Sequence, residues 1–177
     1  MTSSRALAAL TAGCLALGLL AGCAPTPEPK PTKTAAFASD EEAFAAAKKT
    51  YEEYNDASNA RRAGNETPNP QDFLSGSALT DDNKAIKFFL ENNVQPRGTV
   101  SVRSFTPDPK SLNSSRTVLS ATVCLDISKN RLFDADGRDI TPVDRANVIS
   151  TDLEMRWVKS SFVISAEAEG DEGACES

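Results

Sequence analysis

The side chains best suited to covalent chemistry in this sequence are four cysteines, at positions 14, 23, 124 and 175. The chain has no histidine, so it cannot form the Ser-His or Cys-His pairs that activate many nucleophiles. What remains for acid–base catalysis is a carboxylate beside a tyrosine, for which the candidates are Tyr51, Tyr54, Asp56 and Asp72. Both tyrosines fall on an apolar stripe, where core packing is the commoner role, and we therefore expect no catalytic residue.

Cys23 has the most informative surroundings of the four cysteines. It ends the tetrapeptide Leu20-Ala21-Gly22-Cys23, which closes an uncharged run that begins after Arg5. A basic start, an apolar middle and a small-residue end are typical of an export signal, and the tetrapeptide looks like a bacterial lipobox. The pattern predicts a lipoprotein signal peptide over residues 1–22 and lipidation of Cys23, whose acyl chains would hold the mature chain at a membrane. Lipidation of Cys14 and a plain secretory signal are the alternatives.

The residues after Cys23 indicate a spacer followed by one domain. Prolines alternate with polar residues at positions 25, 27, 29 and 31, and such a segment favours an extended, solvated conformation. We expect residues 23–37 to be the lipidated cysteine and its linker, and residues 38–177 to be a single cone-shaped α+β domain. The predicted location is the extracellular face of the cell membrane.

The charge of the mature chain limits its partners. Of the 19 basic residues only Arg5 lies in the signal, which leaves 18 against 25 acidic residues and a net charge of −7. Nucleic acid is a poor partner for so acidic a chain. An acidic chain also gains nothing from an anionic membrane surface, so the lipid alone must provide the anchor.

Cys124 and Cys175 are the two cysteines left in the mature chain besides Cys23. In an exported protein such a pair most often forms a disulfide. A zinc site is the rival interpretation, but the chain lacks the further cysteine or histidine ligands that zinc requires. We predict a Cys124–Cys175 disulfide, no bound metal and no cofactor.

The first half of the domain has the periodicity of helices. Ser39 and Glu42 fit a capping box, which predicts a helix from Asp40 to Ala63 that ends at Gly64. Its buried stripe is predicted to contain Phe44, Ala47, Tyr51, Tyr54 and Ser58. A second helix is predicted over Asp81–Asn92, capped by Thr80, with Ile86, Phe89 and Leu90 facing inward.

From Gly98 onward the apolar residues recur at every second position, which is typical of strands. Four strands are predicted, over residues 99–105, 119–127, 149–157 and 162–168, with Phe162, Ile164, Ala166 and Ala168 on the core face of the last one. Cys124 falls on the face away from the core, so its disulfide would tie the C-terminal tail across that face. The expected fold class is α+β, with N-terminal helices packed on a curved four-stranded antiparallel sheet.

The acidic segment around Gly137 has two interpretations. Asp134 and Asp136 occupy two ligand positions of a calcium-binding EF-hand loop when Gly137 takes its glycine position. The first and last ligand positions are then Leu132 and Val143, which cannot bind calcium through their side chains. An Asp-Gly turn between two strands is therefore the favoured interpretation.

The order of helices and strands resembles the nuclear transport factor two-like superfamily with its cystatin-like cone, and in particular a group of actinobacterial lipoproteins in it. The likeness is carried by the lipobox, Tyr51-Glu52-Glu53-Tyr54, Val123-Cys124-Leu125-Asp126, Asp136-Gly137-Arg138, Phe162-Val163-Ile164 and Cys175. Members often have tryptophan where this chain has Phe162. The resemblance implies a sheet curved around a pocket, for which Tyr51, Tyr54, Phe89 and Trp157 are the candidate lining residues.

These observations predict a non-enzymatic, membrane-anchored binding or interaction domain. Its partner would be an envelope protein or a small apolar ligand in the cone. A small hydrolase or isomerase that uses carboxylates in the cone is the alternative, because one fold of this kind can carry many functions. An open apolar pocket would favour a ligand, whereas a filled cone with an exposed apolar patch would favour a protein partner.

Overall fold

The computed structural model describes residues 35–175. The signal peptide, Cys23 and most of the proline-rich linker lie outside the described residues. Within 35–175, no helix is both long and apolar enough to cross a bilayer.

The expected fold class is confirmed: two helices precede and pack on one face of a four-stranded antiparallel sheet. The helices are α1 (Asp40–Arg62) and α2 (Gly76–Glu91), with a short 3-10 helix at Pro70–Phe73 between them. In chain order the strands are β1 (Gln95–Arg97), β2 (Ser101–Pro107), β3 (Val118–Asp126), β4 (Arg131–Phe133), β5 (Val148–Val158) and β6 (Ser161–Glu169). The large sheet has the order β2-β3-β5-β6, and β1 pairs with β4 in a separate ribbon.

Helix α1 begins where its capping residues predict. The Ser39 side chain accepts a hydrogen bond from the Glu42 amide at 3.2 Å, and the Glu42 carboxylate accepts one from the Ala38 amide at 2.8 Å. These bonds satisfy amides that have no partner within the helix. At the other end Gly64 has a φ of +88°, a conformation that glycine adopts without strain.

Helix α2 begins five residues before the predicted Asp81. Its cap position is Ser75, and the Ser75 amide donates to the Ile164 carbonyl of β6 at 2.9 Å. The expected cap, Thr80, lies inside the helix, where its hydroxyl donates to the Gly76 carbonyl at 3.0 Å. The start of α2 is thus determined by docking on β6, a tertiary contact that local sequence does not reveal.

The core lies between the helices and one sheet face. Its largest fully buried side chains include Phe162, Leu119, Met155, Ile164 and Val123. Tyr51 lies among them with 2% of its surface exposed, and its ring is 6.1 Å from that of Phe105. The interior between the helices and the sheet is therefore filled by side chains.

A β-bulge in β6 changes which of its side chains face the core. The bulge lies at Ser165, and beyond it Glu167 pairs with Leu153, which is buried in the core. Directly paired residues share a face, so Glu167 lies on the core side. The expectation for Ala166 and Ala168 is wrong, because the bulge turns both to the opposite face.

The predicted disulfide between Cys124 and Cys175 is present. Cys124 alternates along β3 with core residues and so lies on the other face of the sheet. A second 3-10 helix, Glu172–Cys175, contacts β5 and β3 on that face. The tail is therefore tied across the sheet as predicted, and closure of this loop stabilises the fold by roughly 4 kcal/mol.

The acidic segment around Gly137 forms the predicted turn. The Asp134 carboxylate accepts hydrogen bonds from the Asp136 and Arg138 amides, and the Arg138 guanidinium lies 2.9 Å from Asp136. Gly137 has a φ of +80° at this turn. The acidic side chains thus serve the turn itself, and residues 35–175 contain no cluster of three or more candidate metal ligands.

Candidate binding groove

The four residues predicted to line a pocket do not share one. Tyr51 and Tyr54 are neighbours on α1, with ring centroids 5.7 Å apart. Trp157 instead packs against two other aromatic rings, with its ring centroid 4.6 Å from that of Phe37 and 5.3 Å from that of Phe162. Of the four, only Phe89 lines the groove described below.

The two tyrosines lie near a carboxylate that the sequence did not single out. Burial first, and then the nearby negative charges of Asp82 and Asp81, together raise the pKa of Glu167 to about 7. Burial also raises the pKa of Tyr51 and of Tyr54, with Glu167 as the next cause for both. Both phenols are therefore protonated at neutral pH. Of the predicted carboxylates, Asp56 and Asp72 are exposed to solvent.

Glu167 also lines an open cavity of about 860 Å³ at the ends of β5 and β6, beside Cys175. Its ionisable lining side chains are Glu167 and Glu169, both acidic. Of its large apolar lining side chains, Ile149 is the more exposed, at 36%. The charged side chains of the cavity therefore have the same sign as the net charge of the chain, whereas a second region of the molecule has basic side chains beside apolar ones.

That second region is a groove of about 660 Å³ between the end of α1, α2 and β1. Helix α2 contributes side chains spaced as one helix face, at positions i, i+3, i+4, i+7 and i+8. They are Asp82, Ala85, Ile86, Phe89 and Leu90. The groove floor is therefore an apolar helix face with one carboxylate at its start.

The second half of α2 leaves large apolar side chains in solvent. Leu90 is 74% exposed and Phe88 is 56% exposed, with the Phe88 ring 5.8 Å from that of Phe89. The expectation that Leu90 faces inward is wrong. Helix α2 packs on β6 through its first turns, where Ala78 is buried, and its later turns contain no buried residue.

Helix α1 contributes to the groove wall an arginine, Arg61, that forms an ion pair with Asp82 of α2. Arg61 forms two parallel hydrogen bonds with Asp82, at 2.9 Å and 2.6 Å, and Gln71 donates to the same carboxylate at 2.9 Å. Burial would raise the pKa of Asp82, but the bonds from Arg61 and Gln71 outweigh it and the pKa lies below its ordinary value. This two-bond geometry fixes the orientation of α2 against α1.

The guanidinium of Arg62, the residue after Arg61 on α1, has only part of its hydrogen-bonding capacity satisfied. One guanidinium nitrogen donates to Asn59 Oδ1 at 2.7 Å, while the buried Nε has no hydrogen-bond partner among the described residues. Burial lowers the pKa of Arg62 from its ordinary value. Asn59 in turn accepts from the Val100 amide at 2.8 Å and donates to the Val100 carbonyl at 2.9 Å, which ties this end of α1 to the residue that precedes β2.

The third basic group of the groove is Arg97 on β1. Its guanidinium carbon lies 5.0 Å from the centre of the Phe133 ring, and Nη2 donates to Gln95 at 2.7 Å. The ribbon of β1 and β4 therefore positions Arg97 at the edge of the groove. Strands of three residues are too short to show periodicity, so the pairing of β1 with β4 was not predicted.

No protein-family model and no curated protein matches this chain. Among solved structures the chain is similar to the intermembrane space region of the chloroplast protein ARC6, with a TM-score of 0.45 and 18% identity. The match covers 68% of this chain and 94% of that one. A TM-score of this size does not establish a shared fold. The structure defines an α+β domain with an apolar, arginine-bordered groove beside α2.

Proposed function

We propose that this protein is a lipid-anchored domain on the outer face of a cell membrane that binds another envelope protein and is not an enzyme. One observation carries the proposal: α2 exposes Phe88 and Leu90 beside a groove, while the interior of the domain is filled. Exposed apolar side chains gathered on one helix are a feature of protein interaction sites.

The filled interior argues against a small apolar ligand held between helices and sheet. Tyr51 and Phe162, at 2% and 1% exposure, occupy the space where such a ligand would lie. Protein cores in general have few voids larger than a water molecule. A partner is then bound on the outside of the domain.

The lipid anchor rests on the lipobox, and two further features are consistent with it. A disulfide between Cys124 and Cys175 suits an oxidising compartment outside the cytoplasm. The proline-rich linker is suited to hold a domain away from a bilayer. The relationship to nuclear transport factor two-like lipoproteins is part of this proposal, supported by the order of two helices followed by an antiparallel sheet.

The anchor is tested by cell fractionation of two matched variants. Cys23→Ser should move the protein from the membrane fraction to the soluble fraction or block its processing, because it removes the acylated thiol. Cys14→Ser, the control, should leave the protein in the membrane fraction. Equal fractionation of Cys23→Ser and wild type would contradict the proposal.

The binding role is tested by photo-crosslinking on intact cells. A photoreactive amino acid in place of Leu90 should give an adduct with a membrane or envelope protein. The same amino acid in place of Val143, an apolar side chain that is 103% exposed and lies outside the groove, should not give that adduct. Identical adducts from both positions, or none from either, would count against a binding role for α2.

A further inference from the structure

The groove beside α2 is basic although the chain as a whole is acidic. Its lining side chains include three arginines and one carboxylate, whereas the full sequence has a net charge of −6. Asp82 neutralises only Arg61, through the bonds described above. The groove therefore has about two uncompensated positive charges next to apolar side chains.

The spacing of the apolar side chains indicates the shape of the occupant. Ala85, Ile86, Phe89 and Leu90 form a helix stripe that no described element covers fully. Residues at this spacing pack against a second helix, and the small Ala85 allows its close approach. Helix-in-groove docking is a common way of recognising an amphipathic segment.

We propose that this groove binds an amphipathic helix of the partner protein whose apolar face is flanked by acidic side chains. The inference rests on the proposed function above and names the chemistry of the partner. The apolar face of the incoming helix covers Phe89 and Leu90, and its carboxylates meet Arg62 and Arg97.

Each arginine has a distinct part in this recognition. Arg62 is partly desolvated and its Nε–H has no partner within residues 35–175, so a carboxylate in the groove offsets a cost that the free protein bears. Arg97 is more exposed and lies at the edge, where charge chiefly steers association and selects the partner. Arg61 is paired with Asp82 and fixes the position of α2 relative to the end of α1, the two helices that border the groove.

The test uses three synthetic peptides of roughly 18 residues, long enough for a helix of several turns. The first has leucines at i, i+3, i+4 and i+7 flanked by glutamates. The second replaces the glutamates with lysines, and the third keeps the glutamates but scrambles the leucine positions. Binding to the purified full chain is measured by fluorescence anisotropy at low and at moderate salt.

The first peptide should bind at least about tenfold more tightly than either of the other two, and its affinity should fall as salt rises. Leu90→Glu and Arg97→Glu should each weaken it by about tenfold. Their controls, Val143→Glu and Lys110→Glu, make the same changes at exposed sites outside the groove and should alter binding by less than about twofold. In Arg97→Glu the preference should shift toward the lysine peptide.

Several results would overturn the inference. Equal binding of the acidic and lysine peptides would remove the charge argument, and binding of none would remove the groove as a helix site. Binding of sodium laurate that depends on Leu90 and Arg97, without peptide binding, would assign the groove to an anionic amphiphile. Self-association abolished by Leu90→Glu would assign it to a second copy of this chain.

The peptide test is independent of the membrane anchor, because it uses purified protein and needs no particular location. Loss of peptide binding with a clear crosslink from position 90 would reject the acidic helix but keep the binding role. Peptide binding by a chain that is never lipidated would keep the acidic helix and reject the lipid anchor.

Discussion

Glu167 is the residue whose environment departs furthest from what its type suggests. The bulge at Ser165 places its carboxyl on the core side of β6, near Asp82 and the two tyrosines of α1. Burial with two acidic neighbours favours the neutral form of a carboxyl group. Glu167 is therefore a protonated side chain over part of the physiological pH range.

Protonation of Glu167 makes stability depend on pH. The unfolded chain loses this proton near pH 4.5, whereas the folded protein keeps it up to about pH 7. Between these values the folded state binds more protons, so the free energy of unfolding falls as pH rises, by at most about 3 kcal/mol. Glu167→Gln should remove this fall and be more stable than wild type at pH 8.

Urea unfolding at intervals between pH 5 and pH 8 measures this effect. Glu169→Gln removes an exposed carboxyl two residues along the same strand and should follow the wild-type curve. An unchanged pH dependence in Glu167→Gln would show that another group causes it.

Residue-scale features were predictable where they depend on neighbours in sequence. Ser39 was recognised because a capping residue and its partner lie three positions apart. Cys124 and Cys175 were recognised because the mature chain offers few other cysteines. Glu167 was not recognised, because a one-residue bulge moves every residue beyond it to the opposite face of the strand. The sequence around Ser165 does not show that a bulge occurs there.

At the scale of elements, the position of α2 determines whether the groove exists. Gly76 has a φ of +55°, and a Cβ there would lie 2.7 Å from the Ser165 carbonyl oxygen. Only glycine allows the helix to begin this close to β6. The element types along the chain were predictable from periodicity, but the start of α2 and the exposure of Leu90 were not, because both follow from this contact.

Gly76→Ala should destabilise the protein by about 2 to 4 kcal/mol, since it adds a steric clash with β6 to an unfavourable backbone conformation. Gly64→Ala is the matched control, because its φ is +88° but nothing lies within 4 Å of the added methyl group. It should cost only about 1 kcal/mol. The midpoints of urea unfolding report both values, and equal losses would contradict the close contact of α2 with β6.

The disulfide is the second element-scale constraint. The double variant Cys124→Ala with Cys175→Ala should unfold about 4 kcal/mol more easily, because the unfolded chain regains the freedom that the cross-link removes. Wild type in reducing buffer should approach the double variant in urea unfolding, while the variant itself should not respond to reductant. A variant as stable as wild type would show that the tail contributes through contacts alone.

At the scale of the whole molecule, an acidic chain has a basic, apolar groove within residues 35–175 and a predicted acyl anchor at Cys23. Acidic surface elsewhere is repelled by anionic lipid, which keeps such a domain off the bilayer and available to partners. The signal and the anchor are predictions from composition and the lipobox, whereas the groove arises from three separate parts of the chain and was not predicted.

The most direct measurement of this account is the mass of the amino-terminal peptide of the protein extracted from native membranes. The account predicts a peptide that begins at Cys23 and carries a diacylglyceryl group on its thiol. A chain that retains Met1, or one that carries an unmodified Cys23 thiol, would contradict it.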